Sequence, residues 1–300
     1  MRLLENEVYL SDLRTVCSLD LPWEEMDGRS ILISGATGMI GSTLIDVLMM
    51  RNRGAAAASL EAAGKDNAAG LRIFALGRSV EKARNRFREY WEDPRFVFVR
   101  CDINDRESLE RGCAEAGVCG SLDGSDQNAA GTVDYVFHAA SNTHPVANAN
   151  DPIGTVVTNI IGLDNLLHFA SEHGCRRFLF ASSNEIYGEN RGDAELFDEK
   201  YCGYIDCNTM RAGYPESKRA GEALCQAYIR QKKLDVVIPR FTRSFGPSLL
   251  STDTKALSQF IRKGVAREDI VLKSAGTQFF SYTYVCDAVS GLLYCLWKGT

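Results

Sequence analysis

Residues 30 to 41 constrain this chain more than any other stretch. Ile31, Leu32 and Ile33 form a short apolar run that reads as a buried strand. Gly35, Gly38 and Gly41 follow at three-residue spacing, and Leu44, Ile45, Val47 and Leu48 then recur as on a helix. Strand, glycine turn and helix together can hold a pyrophosphate. The turn needs residues without Cβ, the phosphate oxygens need close backbone approach, and the helix N-terminus offers free N–H groups at a positive dipole end. The glycines are spaced Gly-x-x-Gly-x-x-Gly rather than Gly-x-Gly-x-x-Gly. Dinucleotide binding is the reading that strand and helix context supports.

The rest of the chain repeats the alternation of strand and helix. Residues 73–76 predict a second strand after a helix that runs to about Arg53 and a small-residue-rich stretch at 54–70 that reads as helix overrun followed by a flexible surface insertion. Residues 96–99 predict a third strand and 133–138 a fourth, with a polar insertion at 117–132 between them. A helix is expected over 156–173, burying Ile160, Leu163, Leu166, Leu167 and Ala170, and a fifth strand over 178–180. This pace specifies an α/β fold, a doubly wound parallel sheet with helices on both faces. Residues 1–29 precede the first strand. Leu10, Leu13 and Val16 have helical spacing there and predict a helix packed on the core.

Ligands of open parallel sheets sit beyond the carboxyl ends of the strands. Gly77 and Arg78 stand there after the second strand, where an acidic residue would bond an adenosine ribose. Arg78 either binds a 2′-phosphate, which favours NADP, or stacks on adenine or faces solvent. Asp102 and Ile103 end the third strand; Asp102 either accepts from an adenine amino group or caps the following helix. Ala139, Ala140 and Ser141 follow the fourth strand, small enough for a backbone to pass close to a cofactor. Ser183, Asn184 and Glu185 follow the fifth. Further on, Tyr214 and Lys218 are four residues apart and share a helix face. An ammonium beside a phenol lowers its pKa, and such a tyrosine can exchange a proton with a sugar hydroxyl.

Composition excludes other classes. The 300 residues carry a net charge of −5 without basic blocks, so no nucleic-acid partner is expected. No unbroken apolar run approaches the roughly 20 residues of a membrane span. The N-terminus lacks the apolar stretch of a signal peptide. The ten cysteines show no Cys-x-x-Cys pair, and they read as reduced thiols of a cytoplasmic protein. The four histidines show no metal-ligand spacing, so no metal is expected.

Over residues 30–298 the chain resembles the extended short-chain dehydrogenases/reductases, the sugar-nucleotide epimerase/dehydratase family. The resemblance rests on the three glycines, Asp102, His138 with Ala139 and Ala140, Asn159, Ser183, Tyr214 with Lys218, Arg240 with Phe245, Gly246 and Pro247, and Tyr284, Val285 and Asp287. It implies NAD, with NADP as the alternative, kept bound by Gly35, Thr37, Gly38, Met39, Ile40, Gly41, Arg78, Asp102, Ile103, Ala139, Ala140, Ser141, Asn159, Tyr214, Lys218 and Arg240. It implies Tyr214 as base, Lys218 on the nicotinamide ribose and Ser183 on the sugar O4, with Glu185 as a second carboxyl group. The stretch around Ser183, Asn184 and Glu185 is similar to UDP-glucuronate decarboxylases. Dehydratases carry Asp where Asn184 stands, and an amide cannot donate the proton that dehydration needs.

The family usually has Asn at the place of Arg243 and Arg at the place of Phe280. Arg243, with Lys255 as a second candidate, is therefore expected to clamp the diphosphate of a nucleotide-sugar substrate. The expected organisation is an N-terminal extension (1–29), a dinucleotide-binding domain (30–240) to which a small substrate lobe adds residues 186–210, and a C-terminal part of that lobe with a final helix (241–300). Relatives run on by some tens of residues, so the chain is either short or truncated. Resemblance also implies a homodimer. Epimerisation, 4,6-dehydration and, from another class, a non-catalytic NAD(P)-binding sensor are the rival functions.

Overall fold

The computed structural model describes residues 2–63, 70–118, 132–143, 150–247, 249, 253–272 and 281–300. The chain runs α1 (Glu7–Cys17), β1 (Ser30–Ser34), α2 (Met39–Ala63), β2 (Arg72–Gly77), α3 (Val80–Arg86), β3 (Phe96–Arg100), α4 (Arg106–Glu115), β4 (Tyr135–His138), α5 (Pro152–Glu172), β5 (Arg177–Phe180), β6 (Ser182–Ser183), α6 (Gly213–Lys232), β7 (Val236–Val237), β8 (Arg240–Phe241), β9 (Arg243–Phe245), α7 (Ala256–Ala266), β10 (Tyr282–Tyr284) and α8 (Val285–Lys298).

Six strands form one parallel sheet in the order β3-β2-β1-β4-β5-β7. Successive side chains point to opposite faces, and both faces are buried. Ile31 and Ile33 of β1 face α1, α2 and α8 in one apolar cluster. Leu32 faces α5 and α6 in the other. The same division separates Ile73 and Ala75 from Phe74 and Leu76 on β2. Strands covered on both sides read as unbroken apolar runs, which is why they are visible in the sequence. The strand order reverses direction between β1 and β4, and a crevice opens at their carboxyl ends. Two short parallel pairs, β6 with β8 and β9 with β10, lead out of the sheet toward the lobe.

The overrun expected after Arg53 is present, and helix α2 continues ten residues to Ala63. Ala55 to Ala58 are the strongest helix formers, and Gly54 costs only about 1 kcal/mol. The insertions expected at 54–70 and 117–132 lie partly outside the described residues. Helix α5 differs from the sequence expectation and starts at Pro152 rather than 156, capped by Asp151, whose carboxylate accepts from the Gly154 amide at 2.9 Å. It contains a wide π turn, Thr158–Gly162. That turn rotates Asn159 and Gly162 into the interior and leaves Ile160, expected inside, only half-buried. Among the described residues α5 is the one helix long and apolar enough to cross a bilayer by length and composition. Here Leu163, Leu166, Leu167, Phe169 and Ala170 of its inner face are buried in the fold.

The N-terminal segment is a layer of the core. Tyr9, Leu13 and Val16 of α1, with Trp23 and Met26, bury against α2 and α8. The nine described cysteines are all free thiols.

Candidate active site

The glycine turn sits at the crevice. Gly35 has φ of +70°, and a Cβ there would stand 2.6 Å from the Ala139 carbonyl carbon and 2.7 Å from the Ala140 amide nitrogen. A Cβ at Gly41 would stand 2.6 Å from the Gly35 carbonyl oxygen. Only glycine fits either place. Thr37, Gly38, Met39 and Ile40 lie between them, and α2 opens at Met39 with no acidic residue in its first turn. Its dipole end is left for an anion. Ala139, Ala140 and Ser141 pass beside the turn, where Ala139 donates its amide to Ser34 O at 3.2 Å. Three buried polar atoms around the crevice, His138 Nε2, Ser141 Oγ and Asn159 Oδ1, have no hydrogen-bond partner among the described residues. Cradle, helix end and orphaned polar atoms fit a dinucleotide.

At the outer strands the candidates are less committed. Arg78 is exposed at the end of β2, and Arg100 at the end of β3 pairs with Gly77. The Asp102 carboxylate accepts from the Asn104 amide at 3.0 Å. It does not cap α4, because Asp105 does, accepting from Glu107 and Ser108. Ile103 is buried, and its carbonyl accepts from Asn165 at 2.8 Å.

The catalytic candidates meet beyond β5. Ser183 is buried, and its hydroxyl accepts from the Glu185 amide at 3.2 Å, fixing the turn Asn184–Tyr187. Tyr214 stands on the first turn of α6 with Ser183 and Glu185 as its polar neighbours. Burial pushes the phenol up to about 12; the Ser183 hydroxyl pulls it down and the Glu185 charge pushes it up. Asn159, brought inward by the π turn, donates to Ser217 Oγ at 2.8 Å, and Ser217 donates to the Tyr214 carbonyl at 2.9 Å.

Lys218 shares the helix face with Tyr214, and its side chain runs inward. Its ammonium donates to Ala181 O at 2.7 Å and lies 4.6 Å from the centre of the Phe180 ring. Spacing on a helix places Cβ atoms together, but a four-carbon stem can carry the charge to whichever carbonyl is in reach. Complete burial pulls Lys218 down to about 7, with Cys225 and Glu222 pushing weakly back. Beside it, His138 is wholly buried, with Nδ1 2.7 Å from Ser34 Oγ. Burial and the Lys218 charge hold its pKa well below the usual histidine range, so it stays neutral.

Arg240 differs from expectation. Its fork is taken by Glu222 at 3.0 and 2.8 Å, and its remaining donor reaches Glu199 O at 2.8 Å and Tyr187 Oη at 3.2 Å. It ties the lobe to α6 instead of reaching toward the dinucleotide crevice. Glu222 also accepts from Ser182 at 2.5 Å. Arg219, which the sequence reading passed over, grips the base of the same lobe segment through Ile186 O at 2.6 Å and Gly203 O at 2.7 Å. Glu222 sits one turn beyond Lys218, and that spacing was the one signal that could have found it. Arg243 is half-buried on β9 beside Tyr282, and Lys255 is the half-buried N-cap of α7. No described contact joins either to Tyr214. Phe280 lies outside the described residues.

Comparison with known proteins agrees with this arrangement. Residues 31–299 match the NAD dependent epimerase/dehydratase family. UDP-glucuronic acid decarboxylase 1 of Xenopus tropicalis is 30% identical over 270 residues, covering 90% of this chain and 54% of that protein. UDP-glucuronic acid decarboxylase 5 of Arabidopsis thaliana is 29% identical over 263 residues, covering 88% and 65%. This chain thus spans about half to two thirds of the length of these relatives. UDP-glucuronic acid 4-epimerase from Bacillus cereus, solved with UDP-glucuronic acid and NAD, superposes with a TM-score of 0.67 at 20% identity, over 90% of this chain and 74% of that one. The family match spans β1 to the end of α8, and the chain belongs to the NAD dependent epimerase/dehydratase family.

Proposed function

We propose that this chain decarboxylates a UDP-glucuronate-type nucleotide sugar with NAD, or NADP, retained in the crevice. The observation that carries the reading is the meeting of Ser183, Glu185 and Tyr214 beyond the carboxyl end of β5, with Tyr214 backed by the Asn159–Ser217 hydrogen bonds. Held by the glycine cradle and the start of α2, NAD would supply positive charge and would serve as acceptor and then donor of the sugar C4 hydride. Ser183 holds O4 while Tyr214 takes the hydroxyl proton. The resulting C4 ketone lies β to the C6 carboxylate. The C5–C6 bond then breaks, CO2 leaves, and the electron pair delocalises into the C4 carbonyl as an enolate. Glu185 stands exposed at this place to shuttle or order water for protonation at C5. Tyr214 finally gives its proton back to O4. Asn184 occupies the position from which a dehydratase carboxyl group would protonate the C6 hydroxyl, which disfavours dehydration.

The relatives named above as UDP-glucuronic acid decarboxylases support the same choice. We further propose a cytoplasmic homodimer meeting through α5 and α6, where Ile153 and Ile161 are exposed. The test is incubation with UDP-glucuronate and NAD, followed by mass spectrometry for a UDP-pentose. Tyr214→Phe should lower turnover by about 10²–10⁴-fold with NAD still bound. Unchanged UDP-glucuronate, or wild-type turnover in Tyr214→Phe, would reject the reading.

A further inference from the structure

Helix α1 carries two tyrosine–aspartate bonds that run in opposite directions. Tyr9 donates to Asp46 Oδ2 of α2 at 2.6 Å. Asp46 is fully buried and is also held by the Arg86 guanidinium of α3. One turn along the same face, Asp12 accepts from Tyr284 Oη at 2.6 Å. Tyr284 ends β10 and leads directly into α8. Burial and the Asp12 carboxylate hold its phenol above the usual range, so it remains a donor.

Tyr284 connects to the substrate lobe. Its partner in the β9–β10 pair is Phe245, with ring centres 5.5 Å apart, and Arg243 lies two residues back on the same strand, opposite Tyr282. Thr242 and Thr283 hydroxyls bond across the same pair at 2.5 Å. A Cβ at Gly246 would run into Val285, so the exit turn of β9 is pressed against the start of α8. The two bonds also border an open cleft of about 190 Å³ that includes Tyr9, Asp12, Pro247 and Tyr284. One face of α1 therefore touches the helix that follows the glycine turn and the strand pair that carries Arg243.

We propose that α1 is a brace between the cofactor helix and the substrate lobe, in which Asp12 is a positioning residue acting through Tyr284 on the β9 backbone. The substrate part of this inference rests on the nucleotide-sugar reading above. Coupling through one such link changes affinity by roughly 2- to 30-fold.

The test uses Asp12→Ala, Tyr284→Phe and the conservative Asp12→Asn in the full chain, with two readouts. The first is kinetic. Asp12→Ala and Tyr284→Phe raise the KM for UDP-glucuronate within that range, leave kcat and the NAD Kd unchanged, and are rescued in Asp12→Asn, whose amide oxygen accepts the same hydroxyl proton. The second needs no substrate. Hydrogen exchange at the Ser244, Phe245 and Thr283 amides becomes faster in Asp12→Ala and returns to wild type in Asp12→Asn. If wild type lacks UDP-glucuronate turnover while the exchange pattern still appears, the brace stands and the substrate reading falls. Wild-type exchange at β9 and β10 in Asp12→Ala overturns the brace. So does a loss spread over the whole chain, with NAD affinity and kcat falling together.

Discussion

Replacing Lys218 with Met should make the nucleotide-free protein more stable near neutral pH and less stable in alkali. The ordinary lysine value of 10.5 falls to about 7 on burial. At about 1.36 kcal/mol per pH unit, keeping this ammonium inside costs on the order of 5 kcal/mol below pH 7. Methionine fills similar space without the charge, but it leaves the Ala181 carbonyl without its donor, a loss of about 1–3 kcal/mol. The net gain for Lys218→Met is then about 2–4 kcal/mol at low pH. The folded chain sheds the Lys218 proton near 7 and the unfolded chain only near 10.5. Between these values the unfolded state binds more protons, so wild-type stability rises with pH relative to the variant, by about 1.4 kcal/mol per unit. The two should cross near roughly pH 9. Urea denaturation of both proteins at about pH 6, 8 and 10 measures this, and taking the difference cancels the tyrosines and thiols that titrate in both. His138 stays neutral throughout, since its own burial is the larger cause of its low pKa. A variant less stable at pH 6, or a difference independent of pH, would refute the reasoning.

Gly35→Ala forces a side chain into a left-handed backbone and against Ala139 and Ala140; calorimetry should show NAD binding lost and Tm lowered, and normal values for both would remove the cradle. Arg78→Ala should lower the NADP-to-NAD affinity ratio by about tenfold, one charge-assisted hydrogen bond to a 2′-phosphate; an unchanged ratio means Arg78 does not read that phosphate. Arg243→Ala should raise the KM for UDP-glucuronate by roughly 10- to 150-fold and spare NAD binding, and equal KM values would place the diphosphate elsewhere.

What was legible in the sequence was local or periodic. The buried strands showed as apolar runs, and the glycine turn and the Tyr214 helix showed as spacings. What was not legible depended on the direction of long side chains and on distant pairs. Tyr284 and Asp12 are 272 residues apart in sequence and 2.6 Å apart in the fold. Arg240 carries the same motif whether its fork meets a cofactor or Glu222, and only the packing of β8 against α6 decides. Lys218 was placed on the correct face, but its charge travels to Ala181 O, which no spacing rule anticipates. The wide turn in α5 has no local signature either, since Thr158 to Gly162 contains no proline.

That wide turn limits how the chain can be edited. Each residue rotates an α-helix by about 100°, and a π turn takes up one residue more than an α turn, so tightening Thr158–Gly162 to α-helix with all five residues kept would turn everything on one side of it by roughly that angle. If the part after it keeps Leu163, Leu166, Leu167 and Ala170 on the sheet, Asn159 swings away from Ser217. If the part before it keeps Asn159 in place, the apolar stripe turns to solvent. The five-residue turn reconciles two demands of different origin, one from packing and one from the hydrogen bonds behind Tyr214. A designer regularising this helix for stability would be choosing which of the two to lose.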